Sequence, residues 1–176
     1  MGLVPFAAIV TAAVLSAGAG GLALAAQDRS TPKVPGGLSF SEFKGYEDWQ
    51  AVAVSQTDGA VKLISANPAM IAAYKAGVPA GGKLFPDGSR IVKIEWARQP
   101  NPASPYAVQV PGGLKSLSFI VKDSRRFPGT KGWAYAKFVA DASGALKPEG
   151  TGAECGFACH TRVAGQDYIF TAYPPR

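Results

Sequence analysis

Three residues near the end of the chain have the side chains with the most distinctive chemistry: Cys155, Cys159 and His160. They include both cysteines and the only histidine of the 176-residue sequence. Two cysteines followed at once by a histidine are typical of haem c, in which the thiols add to the haem vinyl groups and the imidazole ligates the iron. The usual spacing has two residues between the cysteines, but this chain has three, so each thiol must reach its vinyl group with altered geometry. We expect Gly156 to supply the backbone freedom for the extra residue.

Two other sites could use the same side chains. A disulfide between Cys155 and Cys159 is compatible with an oxidising compartment, although it gives the adjacent histidine no role. A zinc site would need a fourth ligand besides these three residues. The sequence therefore favours one haem c per chain, with His160 as an axial ligand of the iron.

The second axial position of that iron has few possible protein ligands. The chain has no second histidine, and its only methionine after Met1 is Met70. Met70 falls on a predicted helix, residues 68–76, where packing in the core is the simpler role for a methionine. The sequence thus predicts an open sixth position, at which iron binds small ligands or carries out redox chemistry on them. An electron-transfer cytochrome would instead need a strong ligand such as Met70.

The N-terminal residues predict export. Residues 1–26 contain no charged side chain, whereas charges appear regularly from Asp28 onward. An Ala-Leu-Ala run matches the pattern that a signal peptidase reads, so we expect residues 1–25 to be a signal peptide. Because no Lys or Arg precedes the apolar run, the true start could lie upstream, or the segment could stay as a membrane anchor. Each alternative places a linker (residues 26–37) and a haem domain (residues 38–176) in the periplasm.

The positive charge of the chain is spread along its length. Eighteen Lys and Arg against twelve Asp and Glu give a formal net charge of +6 at pH 7. Since these residues form no basic stripe and no aromatic platform accompanies them, the sequence argues against nucleic-acid binding. A mildly basic surface favours acidic redox partners, which is consistent with a soluble electron-transfer partner.

Turn residues and apolar alternation predict an α+β domain built mainly on an antiparallel β-sheet with a few packed helices. The clearest helix begins after Asn67, a good N-cap, with Pro68 in the first position and Gly77 after its end. A shorter helix is expected at residues 41–49 with Ser41 as its cap. The predicted strands are residues 51–55, 61–65, 90–97, 117–122 and 133–140, and a loop is expected at residues 99–105.

Several segments together resemble a known family. They are residues 85–93 (FPDGSRIVK), 121–127 (VKDSRRF), 132–135 (GWAY), 154–161 (ECGFACHT) and 167–171 (DYIFT). These segments are similar to the cytochrome P-460 family, which includes the cytochromes c′-beta. The resemblance implies a mainly antiparallel β domain with packed helices, usually a homodimer, and a five-coordinate haem iron with His160 as the proximal ligand.

The resemblance also implies an activity and a further site residue. Cytochromes P-460 oxidise hydroxylamine and have an extra covalent bond from a lysine to the haem ring, and the matching residue here is Lys93. Cytochromes c′-beta lack that bond and bind nitric oxide, so nitric oxide binding or scavenging without turnover is the alternative. On a strand, Lys93 shares a face with Ile91 and Glu95, and an ordinary ion pair with Glu95 is the simpler interpretation. Glu95 is also the nearest carboxylate in sequence that could act as a catalytic base.

The other residues of these segments are expected to have structural roles. Aromatic side chains should pack in the core or against the haem, because each buries a large apolar area. These residues are Trp49, Phe85, Trp133 and Phe170. Lys122 and Arg125 could pair with haem propionates or lie at a solvated strand end.

Overall fold

The computed structural model describes residues 33–34, 38–149 and 153–176, but not the side chains of residues 153–155. The expected signal peptide, residues 1–25, and all but two residues of the expected linker lie outside the described residues. Their assignment stays a prediction. Within the described ranges, no helix is both long enough and apolar enough to cross a membrane.

A six-stranded antiparallel sheet forms the centre of the domain, and each strand pairs with the next one along the chain. Its strands are β1 (Gln50–Thr57), β2 (Ala60–Ala66), β3 (Arg90–Pro100), β4 (Gln109–Lys122), β5 (Trp133–Ala140) and β6 (Leu146–Pro148). A two-residue Asp-Gly turn joins β1 to β2, which is a common hairpin connection. The α+β class predicted from the sequence is confirmed.

In the part of the chain that the structure describes, two α-helices accompany the sheet, α1 (Pro68–Lys75) and α2 (Ala153–His160). Asn67 caps α1 as predicted, because its side-chain oxygen accepts a hydrogen bond of 3.1 Å from the Met70 amide. Gly77 follows α1 with a φ of 83°, in the left-handed region that favours glycine. The sequence did not predict α2, although its residues include the cysteine–histidine motif.

The helix predicted at residues 41–49 is wrong in type. The structure has two 3-10 turns there, Phe40–Phe43 and Tyr46–Asp48, and Gly45 separates them with a φ of 79°. The cap is Ser39 instead of Ser41, because the Ser39 amide donates to the Glu42 carboxylate at 2.9 Å in a capping box. The loop predicted to begin at residue 99 is also wrong in its first two residues, since β3 continues to Pro100 by pairing with β4.

The two faces of the sheet have different covers. On the closed face, the segment before β1 packs onto the strands. This closed-face cluster consists of Val34, Leu38, Phe40, Phe43, Val92, Leu117, Phe119, Val121, Ala134, Ala136, Phe138 and Leu146. On the open face, α1 and the C-terminal tail cover part of the sheet. This open-face cluster consists of Val52, Ile64, Ala66, Met70, Ile71, Ala73, Tyr74, Phe85, Ile91, Trp133, Tyr135 and Ile169. Successive strand residues point to opposite faces, so the strands contribute alternately to the two clusters.

Candidate haem site

A pocket of about 510 Å³ lies on the open face, beside the open-face cluster. Strands β2 to β5 form one wall, and α2 and the tail after it form the other. The wall residues that matter below are Lys62, Ile64, Lys93, Tyr135 and Lys137 on the sheet, and Cys159, His160 and Phe170 on the other side. This volume and the mixture of apolar and charged side chains are typical of a cofactor site.

His160 is the last residue of α2 and lines the pocket. Its Nδ1 lies 2.6 Å from the carbonyl oxygen of Tyr168. A carbonyl can only accept, so Nδ1 has the proton and Nε2 keeps the lone pair that a metal needs. The ring is held between Tyr135 and Phe170, each with its ring centroid 4.8 Å away. This arrangement fixes both the tautomer and the direction of the imidazole.

The environment also keeps the His160 imidazole neutral. Burial lowers its pKa, and the positive charge of Lys93 lowers it further, although the hydrogen bond to Tyr168 acts in the opposite direction. A neutral imidazole is the form that binds iron. The predicted axial ligand therefore has the tautomer that leaves Nε2 for a metal and a lowered pKa that favours the neutral ring, while its role as a ligand stays a prediction.

The two cysteine positions lie one turn apart on a single continuous helix. Residues 155 and 159 have the i, i+4 relation, which places them on the same helix face, as the more usual i, i+3 relation would. The three-residue spacing is therefore compatible with a common face toward one ligand. The Cys159 side chain is exposed. The Cys155 side chain, and with it the alternative disulfide, lies outside the described residues. Among the described side chains, no three His, Cys, Asp or Glu groups gather as a metal site.

Gly156 permits the close approach of α2 to strand β5. A Cβ atom built at this position would lie 2.4 Å from Cγ of Tyr135 and 2.5 Å from its Cβ, so any larger residue would force the helix or the ring to move. The predicted reason for this glycine, backbone freedom, is wrong, because its φ is not in the left-handed region and the residue is helical. Glycine is required because the helix rests directly on the Tyr135 ring.

Lys93 lies in the middle of the sheet wall of the pocket, opposite Ile64 on β2 and Ser118 on β4. Its side chain is 42% exposed, and its Nζ lies 3.9 Å from the Glu95 carboxylate, which is also 4.0 Å from Lys62. Partial burial lowers the Lys93 pKa; Glu95 opposes this effect, and the charges of two neighbouring lysines add to it. The structure thus contains the expected Lys93–Glu95 ion pair and also places Lys93 in the pocket.

The structure separates the remaining expected residues into distinct roles. Met70 is completely buried in the open-face cluster, where it packs as predicted. Phe85 and Trp133 belong to that same cluster, and Trp49 packs against the closed face. Phe170 differs from these residues, since it is 53% exposed and lines the pocket against His160. An exposed aromatic ring at this position is available to pack against a bound group.

A family model described as Cytochrome P460 matches residues 43–171, most of the chain. The chain belongs to the cytochrome P460 family. The resemblance drawn from the sequence motifs is confirmed, and this cytochrome binds haem. No curated protein matches it.

The pocket of the cytochrome fits the haem that its family implies. Apolar residues and three lysines of the sheet supply one wall, and Nε2 of His160 is available as an iron ligand. The Tyr135 hydroxyl is buried and has no hydrogen-bond partner among the described residues, in a side chain that lines the pocket. A buried hydroxyl without a partner is uncommon in folded proteins and is consistent with a further polar group at this site.

The expected pairing of Lys122 with haem propionates is not supported by the structure of the cytochrome. Lys122 is only 4% exposed, and its ammonium group donates to the Asp167 carboxylate at 3.0 Å. Asp167 begins the matched DYIFT segment but was not among the site residues predicted from the sequence. The sequence did contain one signal: two of the matched segments contain opposite charges, Asp167 and Lys122, that could form an ion pair. Arg125 is exposed, as expected of a solvated strand end.

Proposed function

We propose that this cytochrome is exported to the periplasm, has one haem c attached at Cys155 and Cys159, and oxidises hydroxylamine at a five-coordinate iron. The observation that carries the proposal is the neutral His160, with Nδ1 bonded to the Tyr168 carbonyl, in a pocket whose opposite wall contains Lys93. Bound haem supplies a redox-active iron that takes electrons from the substrate. The residues of the chain decide how that iron is held and what can reach it.

His160 would be the proximal ligand. A histidine that donates its second ring N–H to a backbone carbonyl is a stronger ligand and has a fixed ring orientation. The only methionine of the described chain, Met70, is completely buried in the open-face cluster. This burial supports an open sixth position and argues against an electron-transfer cytochrome with Met70 as the second ligand.

Lys93 would form the third covalent tether to the haem. Its lowered pKa increases the fraction of neutral amine, and the neutral amine is the nucleophilic form. A bond from Nζ to a ring carbon would replace one hydrogen on each atom, so its formation would release two protons and two electrons and would require a two-electron oxidant, such as a peroxide that is reduced to water. Lys93 is 42% exposed and lines the pocket, so its amine is accessible to a ligand there.

Glu95 would accept protons released by hydroxylamine. In the described structure it is shared between Lys93 and Lys62, at 3.9 Å and 4.0 Å. Attachment of Lys93 to the haem would remove one of these two charges and leave Glu95 beside Lys62 alone. A carboxylate with less positive charge around it is a better proton acceptor.

Nitric oxide binding without turnover is the second candidate. One observation favours it: the contact of Lys93 with Glu95, which favours the charged form of the amine and so opposes a covalent bond to the haem. The haem attachment and the His160 ligation are the same in both candidates.

The deciding experiment uses protein produced with its export segment in a host competent in haem c attachment. Mass analysis of the mature protein should show cleavage after Ala25 and one added haem. The reduced spectrum should contain a broad, red-shifted band that disappears in Lys93→Ala and persists in Lys137→Ala, a matched lysine in the same pocket. Turnover of hydroxylamine should accompany the band.

Other outcomes would point elsewhere. Colourless protein would contradict haem c, and an unchanged band in Lys93→Ala would contradict the cross-link. Tight nitric oxide binding without hydroxylamine turnover would select the second candidate. We also propose that the cytochrome is a homodimer, which sedimentation would test. Its net charge of +6 supports a soluble acidic partner as the electron acceptor, and the salt dependence of electron transfer would test that partner.

A further inference from the structure

The buried carboxylate of Asp167 joins three separate parts of the fold. One oxygen, Oδ2, accepts the Phe85 amide at 2.8 Å. The other, Oδ1, accepts Nζ of Lys122 at 3.0 Å and Nε1 of Trp133 at 3.1 Å. Asp167 is only 3% exposed, so these donors replace the water that an ionised carboxylate would otherwise bind. The carboxylate thus fixes the end of the segment after α2 to β4, β5 and the turn before β3.

The backbone beside this carboxylate has an unusual conformation. Asp167 and Tyr168 are consecutive and have φ values of 47° and 63°, both in the left-handed region. Aspartate enters this region more readily than most residues, whereas an aromatic residue there is rare and needs support from its surroundings. The Asp167 amide donates to Ala164 and the Tyr168 amide to Val163, each at 3.1 Å, so the reversed chain closes onto the preceding 3-10 turn. The contacts of Asp167 are the tertiary part of that support.

The left-handed turn has one direct result at the haem site. It directs the Tyr168 carbonyl back toward α2, where it accepts the Nδ1 proton of His160 at 2.6 Å. In the following residues, Ile169 is buried in the open-face cluster and Phe170 packs against the His160 ring. The orientation of the imidazole therefore depends on a turn whose conformation depends on Asp167.

We propose that Asp167 is a positioning residue for His160, acting through the Tyr168 carbonyl. The inference rests on the proposed role of His160 as the axial ligand. Strong donation from Nδ1 to a carbonyl makes Nε2 a better electron donor, which stabilises the ferric state relative to the ferrous state. Loss of the Asp167 contacts lets the turn relax, weakens the Nδ1 hydrogen bond and raises the reduction potential.

The experiment uses the full haem-loaded cytochrome with ¹⁵N-labelled histidine, which gives a single set of signals because the chain has one histidine. The first variant is Asp167→Asn. The second is Asp167→Asn with Lys122→Met, which removes both charges and leaves no unpaired buried ammonium group. In both variants we expect the equilibrium between the ferric and ferrous states to shift about tenfold toward the ferrous state. This shift corresponds to a rise of about 59 mV in the one-electron reduction potential. The iron–histidine stretching band of the reduced protein should move to lower frequency.

A matched control separates positioning from general destabilisation. Val92→Ala opens a cavity in the closed-face cluster, on the other side of the sheet from His160, and should leave the potential and the stretching band unchanged. If the double variant binds haem with the wild-type potential and band, the proposal is overturned. If the Val92→Ala potential rises as much as that of the Asp167 variants, the effect is general and the proposal is again overturned.

Two further measurements keep the outcome clear. In the unmutated protein, the Nδ1 proton should exchange slowly with solvent; exchange as fast as that of a free imidazole would overturn the proposal even if no variant folds. The variant His160→Gly tests whether His160 is the axial ligand, on which the positioning proposal rests. An unchanged haem spectrum in His160→Gly would remove the proposed function itself, whereas a changed spectrum together with silent Asp167 variants would remove only the positioning role.

Discussion

The two faces of the same sheet differ in how completely the chain covers them. On the closed face, the segment before β1 brings Phe40 and Phe43 onto Phe119, and Phe43 stacks on Phe119 with ring centroids 4.0 Å apart. On the open face, α1 and the tail cover only part of the strands, and the rest is a pocket of about 510 Å³ with lysines in its wall. The closed face thus stabilises the fold by apolar packing within the chain, while the open face holds residues arranged for a cofactor.

The largest expected effect is a loss of stability caused by a substitution in the closed face alone. Phe43→Ala removes a fully buried ring and should lower the free energy of unfolding by about 3–5 kcal/mol, measured by denaturant titration. Because Phe43 lies on the other side of the sheet from His160, the haem spectrum of the folded fraction should stay unchanged. A spectral change would show that the two faces are coupled more closely than their separate clusters indicate.

The next effect tests the contact on which the open face depends. Gly156→Ala places a methyl group 2.4 Å from Tyr135 and should cost about 1–3 kcal/mol of stability, with an altered haem spectrum, because α2 must move away from β5. Gly165→Ala is the matched control: no atom lies within 4 Å of its added methyl group, and its stability should change by less than about 1 kcal/mol. Equal effects of the two substitutions would contradict the close-approach role of Gly156.

Much of the fold follows from local signals in the sequence. Asn67, Pro68 and Gly77 mark the two ends of α1, and the structure confirms all three. The strand predicted at residues 133–140 has the same bounds as β5. These predictions succeed because caps, turns and alternation depend on residues that are neighbours in sequence. The cysteine–histidine motif could be recognised for the same reason, since its residues form one contiguous run.

What the sequence could not predict depends on contacts between distant residues. Lys122 and Asp167 are 45 positions apart, and only the folded sheet brings them together. In the sequence, Lys122 ends a predicted strand and Asp167 lies in the tail, and no local pattern links the two residues. Gly156 has the same difficulty, because its neighbour Tyr135 is on β5 and the clash cannot be read from the helix itself. The Tyr168 carbonyl, a backbone group in a left-handed turn, has no sequence signature at all.

The reactivity of Lys93 provides a sharper test of the open face, because the rate at which its amine is labelled depends on its pKa and so on its surroundings in the pocket. Its pKa is lowered by partial burial, so in the haem-free protein, where the amine is not covalently bound, labelling by acetic anhydride should reach half of its maximum at a pH below the ordinary lysine value of 10.5. Glu95 raises the pKa, and Glu95→Gln should therefore move that midpoint lower still. Peptide mass analysis measures the labelling, with the exposed Lys115 in the same sample as the reference. A Lys93 midpoint at or above the ordinary value would show that the pocket wall does not desolvate the amine.

The smallest expected effect concerns the ion pair that borders the closed face. The guanidinium of Arg126 donates to the Glu42 carboxylate at 2.8 Å, and Arg126→Gln should lower stability by only about 0.2–1 kcal/mol at neutral pH, because the pair is partly exposed. Partial burial acts to raise the Glu42 pKa, but hydrogen bonds from Arg126 and from the Ser39 amide outweigh it, and the net pKa is lowered.

A lowered carboxylate pKa adds stability above the pKa of the unfolded chain and loses it as the pH falls through the folded value. The difference between wild type and Arg126→Gln should therefore be largest near neutral pH and vanish in acid, where Glu42 is protonated in both proteins. Arg125→Gln, the same substitution at the adjacent exposed arginine, should not reproduce this pH-dependent difference in thermal unfolding. If it does, net charge and not the Glu42 contact accounts for the effect, and the closed face depends on its apolar packing without help from this ion pair.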